Sequence, residues 1–420
     1  MLVSIITPTH KPNTAYLQQA YDSLIAQTDD RWEWVIYLNG GARLADIPQL
    51  VADDRVRVIR ADCVHQGIGS VKHAAFSQGS GDVLLELDHD DTLEPEAVQH
   101  VIEAFVENPG VGFVYSDCSR FRDDARTVAP YSKQHGWPEP YAHESNDGRT
   151  RRVTPSFAPS AAALRRIWYA PDHLRAWCRD VYERLGGHDQ TLAVCDDHDL
   201  MIRTYLNAPM HRIPVPLYNY RMHDPNESGP NRQNALVQSE TVRLGRKYAK
   251  RLAEREADLR GLRKVDIGGG RYGCRGYTTV DVEGDAEVIH DLRSGIPFPD
   301  NSVGVLNASH IIEHLPDKAF TMQEIYRVLA HGGWAFIEVP STDGRGAFQD
   351  PTHVSFWNEN SFWYYTRQSH AQYITNHGLR FMEDRLDTTW WEPKEHKVAI
   401  THAWLIAVKD GPRLPGLLHI

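Results

Sequence analysis

The first 120 residues alternate short apolar runs with longer amphipathic ones. Leu2–Thr7, Trp34–Leu38, Val56–Arg60, Val83–Leu87 and Val111–Ser116 have the length and content of strands. Between them, Thr14–Gln27 carries Leu17, Ala20, Leu24 and Ile25 at helical spacing, Gly69–Ser77 reads as a short helix, and Glu94–Glu107 as a longer one. This alternation predicts a mostly parallel sheet with helices on both faces. Ligands then gather at the carboxyl ends of the strands. Thr7-Pro8-Thr9, Asn39-Gly40-Gly41 and Asp88-His89-Asp90 all fall at such ends.

A breaker cluster follows at Asn226–Asn231, then a charged stretch with Val237, Leu244, Tyr248, Leu252 and Leu259 on a loose helical stripe. A second strand-and-loop series starts at Lys264-Val265-Asp266-Ile267 and continues through Tyr277–Val282, a helix over Lys318–Leu329, a stop at Gly332-Gly333 and a strand over Trp334–Val339. A helix near Gln368–Asn376 and strands near Arg380–Thr388 and Val398–Val408 complete it. The expected organisation is a domain over 1–230, a charged helical linker over 231–261 and a second α/β domain over 262–420.

Composition changes this picture little. Hydrophobic residues make up 41% and charged residues 24% of the 420, ordinary for a soluble globular protein. A net charge of −11 argues against a general nucleic-acid binder. Five cysteines without CxxC pairing suggest reduced thiols rather than a disulfide framework. The chain enters a strand at once instead of a signal peptide, and no apolar run approaches the ~20 residues that span a bilayer. Cytoplasmic residence is the expectation. The stretch from Asn231 to Lys264 carries ten Lys/Arg against four Asp/Glu. A solvated helix face is the default reading of such a run. Peripheral contact with anionic lipid head groups or a polyprenyl diphosphate acceptor is the sharper one.

The chemistry concentrates at Asp88-His89-Asp90-Asp91. Carboxylates this close at a buried strand end repel one another and call for a counter-charge, which a divalent cation held by hard oxygens supplies. An acidic turn capping the next helix is the plain alternative. Further on, Leu185-Gly186-Gly187-His188-Asp189 precedes Cys195-Asp196-Asp197-His198-Asp199-Leu200, where a helix opens over Asp199–Leu206 and favours carboxylates at its positive end.

VSIITPTHKPN, SLIAQTDDRWEWVIYLNGG and HQGIGSVKHAAFSQGSGDVLLELDHDD, in that order, resemble the inverting GT-A glycosyltransferases of family 2 over residues 2–225. The resemblance implies a nucleotide-sugar donor, UDP-linked by preference, a glycan, glycolipid or glycoprotein acceptor, and Mn2+ or Mg2+. By position, Pro8, Thr9 and Asn39 would line the nucleoside pocket, Lys72 would lie near the diphosphate, and Asp88 and Asp90 would be the DxD pair. Asp90 is then the direct metal ligand, His223 a further one, and Asp197 the general base. Leu38-Asn39-Gly40-Gly41 departs from the usual Asp-Asp-Gly-Ser. Trp137, Trp168 and Trp177 are candidates for an acceptor groove or for the core.

Asp266–Gly270, Gly276–Asp281, Ile289–Leu292, Ile296–Ser302 and Ala308–Leu315 resemble the class I S-adenosylmethionine-dependent methyltransferases, whose fold is Rossmann-like. The resemblance implies that Asp266, Gly268 and Gly270 frame the methionine part, that Asp281 takes the ribose hydroxyls, and that Asp291 meets the adenine amino group. Gly268-x-Gly270-x-x-Gly273 also fits a dinucleotide fingerprint, but Tyr277–Val282 begins too soon for the crossover helix that an NAD site needs. His310-x-x-Glu313-His314 fits an inverted zinc-peptidase spacing, yet the elements around it fit a methyltransferase better. His310 and His353, the latter in Asp350-Pro351-Thr352-His353, are candidates to hold an acceptor or take its proton. The sequence therefore predicts a two-domain glycosyltransferase–methyltransferase. The alternatives are one catalytic domain with a binding or scaffolding partner, or a protein-modifying enzyme.

Overall fold

The structure is a computed structural model that describes the chain except for residues 11, 41–49, 51, 63, 66, 124–135, 223–231, 375–377, 392–393, 412 and 418–420. The described chain divides into two compact units, Met1–Tyr248 and Ala249–Ile420.

In the first unit, strands β1 (Val3–Thr9), β2 (Trp32–Leu38), β3 (Val56–Arg60) and β4 (Val83–Glu86) run parallel in the order β3-β2-β1-β4. Every residue of β2 and β4 is buried, as expected of strands covered on both faces. Helix α1 (Thr14–Ile25) is started by Asn13, whose side-chain oxygen accepts from the amides of Ala15 and Tyr16. It buries Leu17, Ala20 and Leu24. Helix α2 (Ile68–Phe76) precedes β4, and after β4 come the two-residue strand β5 (Thr92–Leu93) and helix α3 (Ala97–Glu107), which buries Val98, Val101, Ile102 and Phe105.

The sheet continues through β9 (Arg175–Cys178), antiparallel to β4 and to β6 (Phe113–Phe121). β10 (Met210–Arg221) lies parallel to β6, and β5 closes the edge. The hairpin β7 (Tyr141–Glu144) and β8 (Thr150–Thr154) joins at β6. Helices α4 (Ala161–Arg166), α5 (Arg179–Arg184) and α6 (Asp196–Asn207) fill the second half of the unit. β10 is a single strand of 12 residues. Its register shifts at Ile213, Pro216 and Tyr218, where prolines cannot donate to the ladder.

Helix α7 (Arg232–Leu259) occupies the charged stretch. Val237, Leu244 and Tyr248 are buried, and Tyr248 Oη donates to Asp199 Oδ1 at 2.9 Å within the first unit. Leu252, Ala253 and Ala257 are buried in the second. Among the described residues no helix is long and apolar enough to cross a membrane.

The second unit is a seven-stranded sheet of β11 (Arg263–Ile267), β12 (Thr278–Asp281), β13 (Val288–Ile289), β14 (Val303–Ser309), β15 (Leu329–Pro340), β16 (Phe381–Trp390) and β17 (Ala399–Ala407). Their order is β13-β12-β11-β14-β15-β17-β16, with β17 antiparallel to both neighbours and the rest parallel. Helix α8 (Lys318–Val328) has Asp317 as its cap. Gly332-Gly333, expected to end an element, lies inside β15, where pairing with β14 slips between Val303–Leu329 and Val305–Trp334.

Candidate functional site

In the first unit the carboxyl ends of β1, β2 and β4 form one edge. Thr7 Oγ1 donates to Leu87 O at 2.7 Å and receives Trp34 Nε1 at 2.8 Å, tying the three strands together. Thr9 is buried, and among the described residues its hydroxyl finds no hydrogen-bond partner. Such a group calls for a ligand or water. Asn39 is also buried. Its amide clamps the backbone of His65, with Oδ1 accepting from His65 N at 3.0 Å and Nδ2 donating to His65 O at 3.3 Å. Pro8 is half-buried beside them.

Beyond β4 the acidic turn is bound to β10. Asp91 is fully enclosed, with Oδ2 accepting from Tyr218 Oη at 2.8 Å and Oδ1 from Arg221 N at 2.7 Å. Burial first, and then the charges of Asp88 and Asp90, push the Asp91 carboxyl well above the usual range. Arg221 Nε donates to Asp90 O at 2.7 Å. Asp88 and Asp90 themselves are half-exposed. This set of hard oxygens at one strand end fits a divalent cation. His223 lies outside the described residues.

Beneath this edge is a buried ionic cluster that sequence reasoning missed. Lys72 of α2 pairs with Glu86, the last residue of β4. Glu86 stands directly across the antiparallel ladder from Arg175 of β9, whose Nη1 is 3.6 Å from Glu86 Oε2. The same Nη1 donates to Asp197 Oδ2 at 2.7 Å. Asp197 and Asp196 occupy the first turn of α6, and both are buried. Burial opposes ionisation of Asp197, but Arg175 and Lys72 outweigh it and hold the carboxyl below its ordinary value. Asp196 is pushed up to about 7, chiefly by burial, and stands 3.7 Å from His188 Nε2. Glu86, Asp196, Asp197 and Asp88 all hold Lys72 charged despite its burial. One charged residue in an otherwise apolar strand was the available signal, since a buried carboxylate demands a partner.

Trp177 is fully buried and donates from Nε1 to Thr204 at 3.1 Å, so it belongs to the core. Trp137 lines a cavity with Arg120, Pro155, Phe157, Tyr169 and Asp172. Trp168 is half-buried and packs edge-on against its neighbour Tyr169, which lines that cavity.

In the second unit, Asp266 at the end of β11 is buried and organises the loop that follows. Oδ2 accepts from Cys274 N at 2.7 Å and Oδ1 from Asn307 Nδ2 at 2.8 Å. Gly268 has φ +74° and Gly270 φ +43°. A Cβ on Gly270 would come within 3.1 Å of Asp281 Oδ2, so this glycine leaves room beside the strand-end acid. Asp281 Oδ1 accepts from Val282 N at 2.7 Å. A glycine cradle ending at a strand-end carboxylate fits the adenosyl and methionine parts of S-adenosylmethionine. Asp291 caps a short turn and makes a forked pair with Arg293, which lowers its carboxyl to about 2.

His310 follows β14 directly and has φ +54°, a conformation rare outside glycine. Its Nδ1 is 3.6 Å from Glu313 Oε1, and Glu313 raises its pKa. His353 Nε2 is 3.9 Å from the same oxygen. Both candidate bases therefore flank Glu313, which sequence reasoning had weighed only within a rejected motif.

Comparison with known proteins matches residues 4–170 to the model of glycosyl transferase family 2 and residues 276–337 to that of a methyltransferase domain. The chain is 26% identical over 227 residues to the O-antigen biosynthesis protein RfbC of Myxococcus xanthus, covering 52% of this chain and 16% of that protein. It is 26% identical over 234 residues to the chondroitin synthase of Pasteurella multocida, covering 55% and 22%. With an uncharacterized glycosyltransferase of Haemophilus influenzae it shares 29% identity over 206 residues, covering 48% and 61%. The chain thus spans less than a quarter of the length of the first two relatives. The S. aureus TarS structure with UDP-GlcNAc aligns at 16% identity and TM-score 0.44, covering 62% of this chain and 71% of that one. The first unit has the α/β GT-A fold and the second a Rossmann-like methyltransferase fold.

Proposed function

We propose that this chain, a family 2 glycosyltransferase domain followed by a methyltransferase domain, is a bifunctional transferase of surface-glycan assembly. The first domain moves a sugar with inversion from a nucleotide-sugar, UDP-linked by preference, to a glycan or glycoconjugate. The second methylates a sugar hydroxyl with S-adenosylmethionine. The relatives are named for O-antigen, chondroitin and hyaluronan synthesis, which favours a polysaccharide acceptor.

The observation that supports the first half is the buried ionic chain in which Lys72 pairs with Glu86 and Arg175 reaches both Glu86 and Asp197. It links the end of β4, which leads into Asp88 and Asp90, to the acid-bearing first turn of α6. A divalent cation on Asp88 and Asp90 would stabilise the departing diphosphate. Asp197 takes the proton of the acceptor hydroxyl as that oxygen attacks the anomeric carbon. Arg175 keeps Asp197 ionised and fixes its orientation. Thr9 offers its unpartnered hydroxyl to the nucleoside. In the second half, S-adenosylmethionine supplies an electrophilic methyl group. Asp281 orients the ribose, and His310, half-exposed, takes the proton of the accepting hydroxyl.

The test is a titration of the full chain with UDP-, GDP- and dTDP-sugars, with and without Mn2+, and separately with S-adenosylmethionine. Metal-dependent binding of a nucleotide-sugar together with metal-independent binding of S-adenosylmethionine is expected. Binding of no nucleotide-sugar overturns the glycosyl half, and no binding of S-adenosylmethionine overturns the methyl half.

A further inference from the structure

Glu313 sits in a short turn after β14 and is 2% exposed. Among the described residues neither of its carboxylate oxygens receives a hydrogen bond. A buried carboxylate with both oxygens unsatisfied requires a positive partner. The nitrogens facing Oε1 are His310 Nδ1 at 3.6 Å and His353 Nε2 at 3.9 Å. Those distances are too long for hydrogen bonds. The Glu313–His353 distance is the spacing of two ligands that share an ion, since donors each about 2.0–2.2 Å from a metal stand roughly 3–4 Å apart.

The imidazoles are held as metal ligands are held. His353 Nδ1 lies 3.0 Å from the carbonyl of Ala347, and His314 Nδ1 lies 3.2 Å from the carbonyl of Thr352. A carbonyl accepts only, so each Nδ1 carries the proton and each Nε2 keeps its lone pair. Fixing the far nitrogen on a backbone carbonyl orients a histidine ligand and raises its basicity. The loop that brings His353 is itself clamped to this turn, because the amides of Val354 and Ser355 both donate to Glu313 O at 2.9 Å.

We propose that Glu313, His314 and His353 bind a divalent transition-metal ion of zinc-like softness. Their ligand atoms lie within 4.8 Å of one another. Two imidazoles and one carboxylate are a catalytic-type zinc set that leaves a coordination position open. On the methyltransferase reading above, that position takes the hydroxyl of the methyl acceptor, with His310 beside it. The site differs from the acidic turn of the first unit in residues and in donor chemistry, nitrogen-rich against all-oxygen.

The experiment uses the full chain carrying Asp90→Ala, so that the acidic turn of the first unit does not contribute, after stripping with a chelator. Zn2+ is titrated by calorimetry, and Co2+ is followed by its visible absorption. One equivalent of either ion is expected, with a rise in Tm on adding Zn2+. Glu313→Gln and His353→Gln should weaken Zn2+ by at least about tenfold and abolish the Tm rise. His314→Gln, at a partly exposed side chain, decides the matter if the buried variants fail to fold. Unchanged Zn2+ affinity in folded variants, or no Zn2+ bound by the parent, overturns the site. S-adenosylmethionine is titrated separately. Zn2+ binding by a chain that binds no S-adenosylmethionine supports the site while overturning the methyltransferase reading.

Discussion

Arg175 Nη1 donates to Asp197 Oδ2 at 2.7 Å while standing 3.6 Å from Glu86 Oε2. One buried guanidinium thus holds the candidate base and the sole charged residue of β4. Asp197→Asn keeps the shape and removes the proton acceptor. Donor binding should persist while turnover falls about 10²–10⁴-fold, the usual worth of a general base. Steady-state kinetics with the nucleotide-sugar that the titration selects make the check. Unchanged turnover would move the role to Asp196. Arg175→Met leaves the buried Asp197 carboxylate without its ion-pair partner and should lower stability by about 3–5 kcal/mol in urea titration.

The same cluster makes stability depend on pH in a way that single variants separate. Burial pulls His188 down to about 3 and His173 down to about 4. As pH falls below the ordinary histidine value, the unfolded chain takes up protons that the folded chain refuses. Each histidine then costs about 1.4 kcal/mol per pH unit. Asp196, raised to about 7, acts oppositely. Between its ordinary value of 3.8 and about 7 the folded state alone holds that proton, so its contribution is present at low pH and lost as pH rises through about 7. Unfolding midpoints measured at pH 5 and 6 should therefore show a steeper acid loss in Asp196→Asn than in the parent. His188→Gln should show a shallower one. Equal slopes in all three would contradict the assignment.

Asp91 reports on the acidic turn. Its carboxyl is pushed up by burial and by Asp88 and Asp90. A cation bound among them competes with that proton, so Mn2+ should bind more tightly as pH rises and should release protons on binding. Calorimetry in two buffers of different ionisation enthalpy reads the release directly. Asp90→Ala should abolish metal-dependent nucleotide binding and leave S-adenosylmethionine binding intact. Full sugar transfer by that variant would remove the DxD role from Asp90.

The elements were legible because their signals are local. The periods of Thr14–Gln27 and Trp34–Leu38 predict α1 and β2 to within two residues at each end. The glycine loop before β12 was legible for the same reason, since Gly268, Gly270 and Asp281 are close in sequence. What escaped depends on partners far apart in the chain. Glu86 read as part of an apolar run, because Arg175 opposite it belongs to β9, a strand the spacing did not mark. Glu313 and His314 were seen, but His353 reaches them from another loop. Trp177, open to a groove role by type, is buried because β9 lies between β4 and β6, both of which it pairs.

The cradle of the second unit yields the sharpest separation between domains. Asp281 presents Oδ2 toward Gly270 while Oδ1 is held by Val282 N at 2.7 Å. If it takes both ribose hydroxyls, Asp281→Ala removes two charge-assisted hydrogen bonds of about 1.5–3 kcal/mol each. Affinity for S-adenosylmethionine should then fall at least about tenfold, since about 1.4 kcal/mol already does that. Gly268→Ala tests the loop with the acid left in place. At φ +74° an added Cβ lies 2.7 Å from Ile311 Cβ, so the loop must shift or strain. A left-handed residue with a side chain costs about 1–2 kcal/mol by itself, and a matching loss of affinity is expected. Asp266→Ala frees Cys274 N and Asn307 Nδ2 together and should weaken binding through the same loop. Nucleotide-sugar binding belongs to the other unit and should hardly change in any of the three variants. Calorimetric titration of both ligands into each variant decides it. Unaltered affinity in Asp281→Ala would end the ribose role, and parallel loss of both ligands would mean that the two units bind as one.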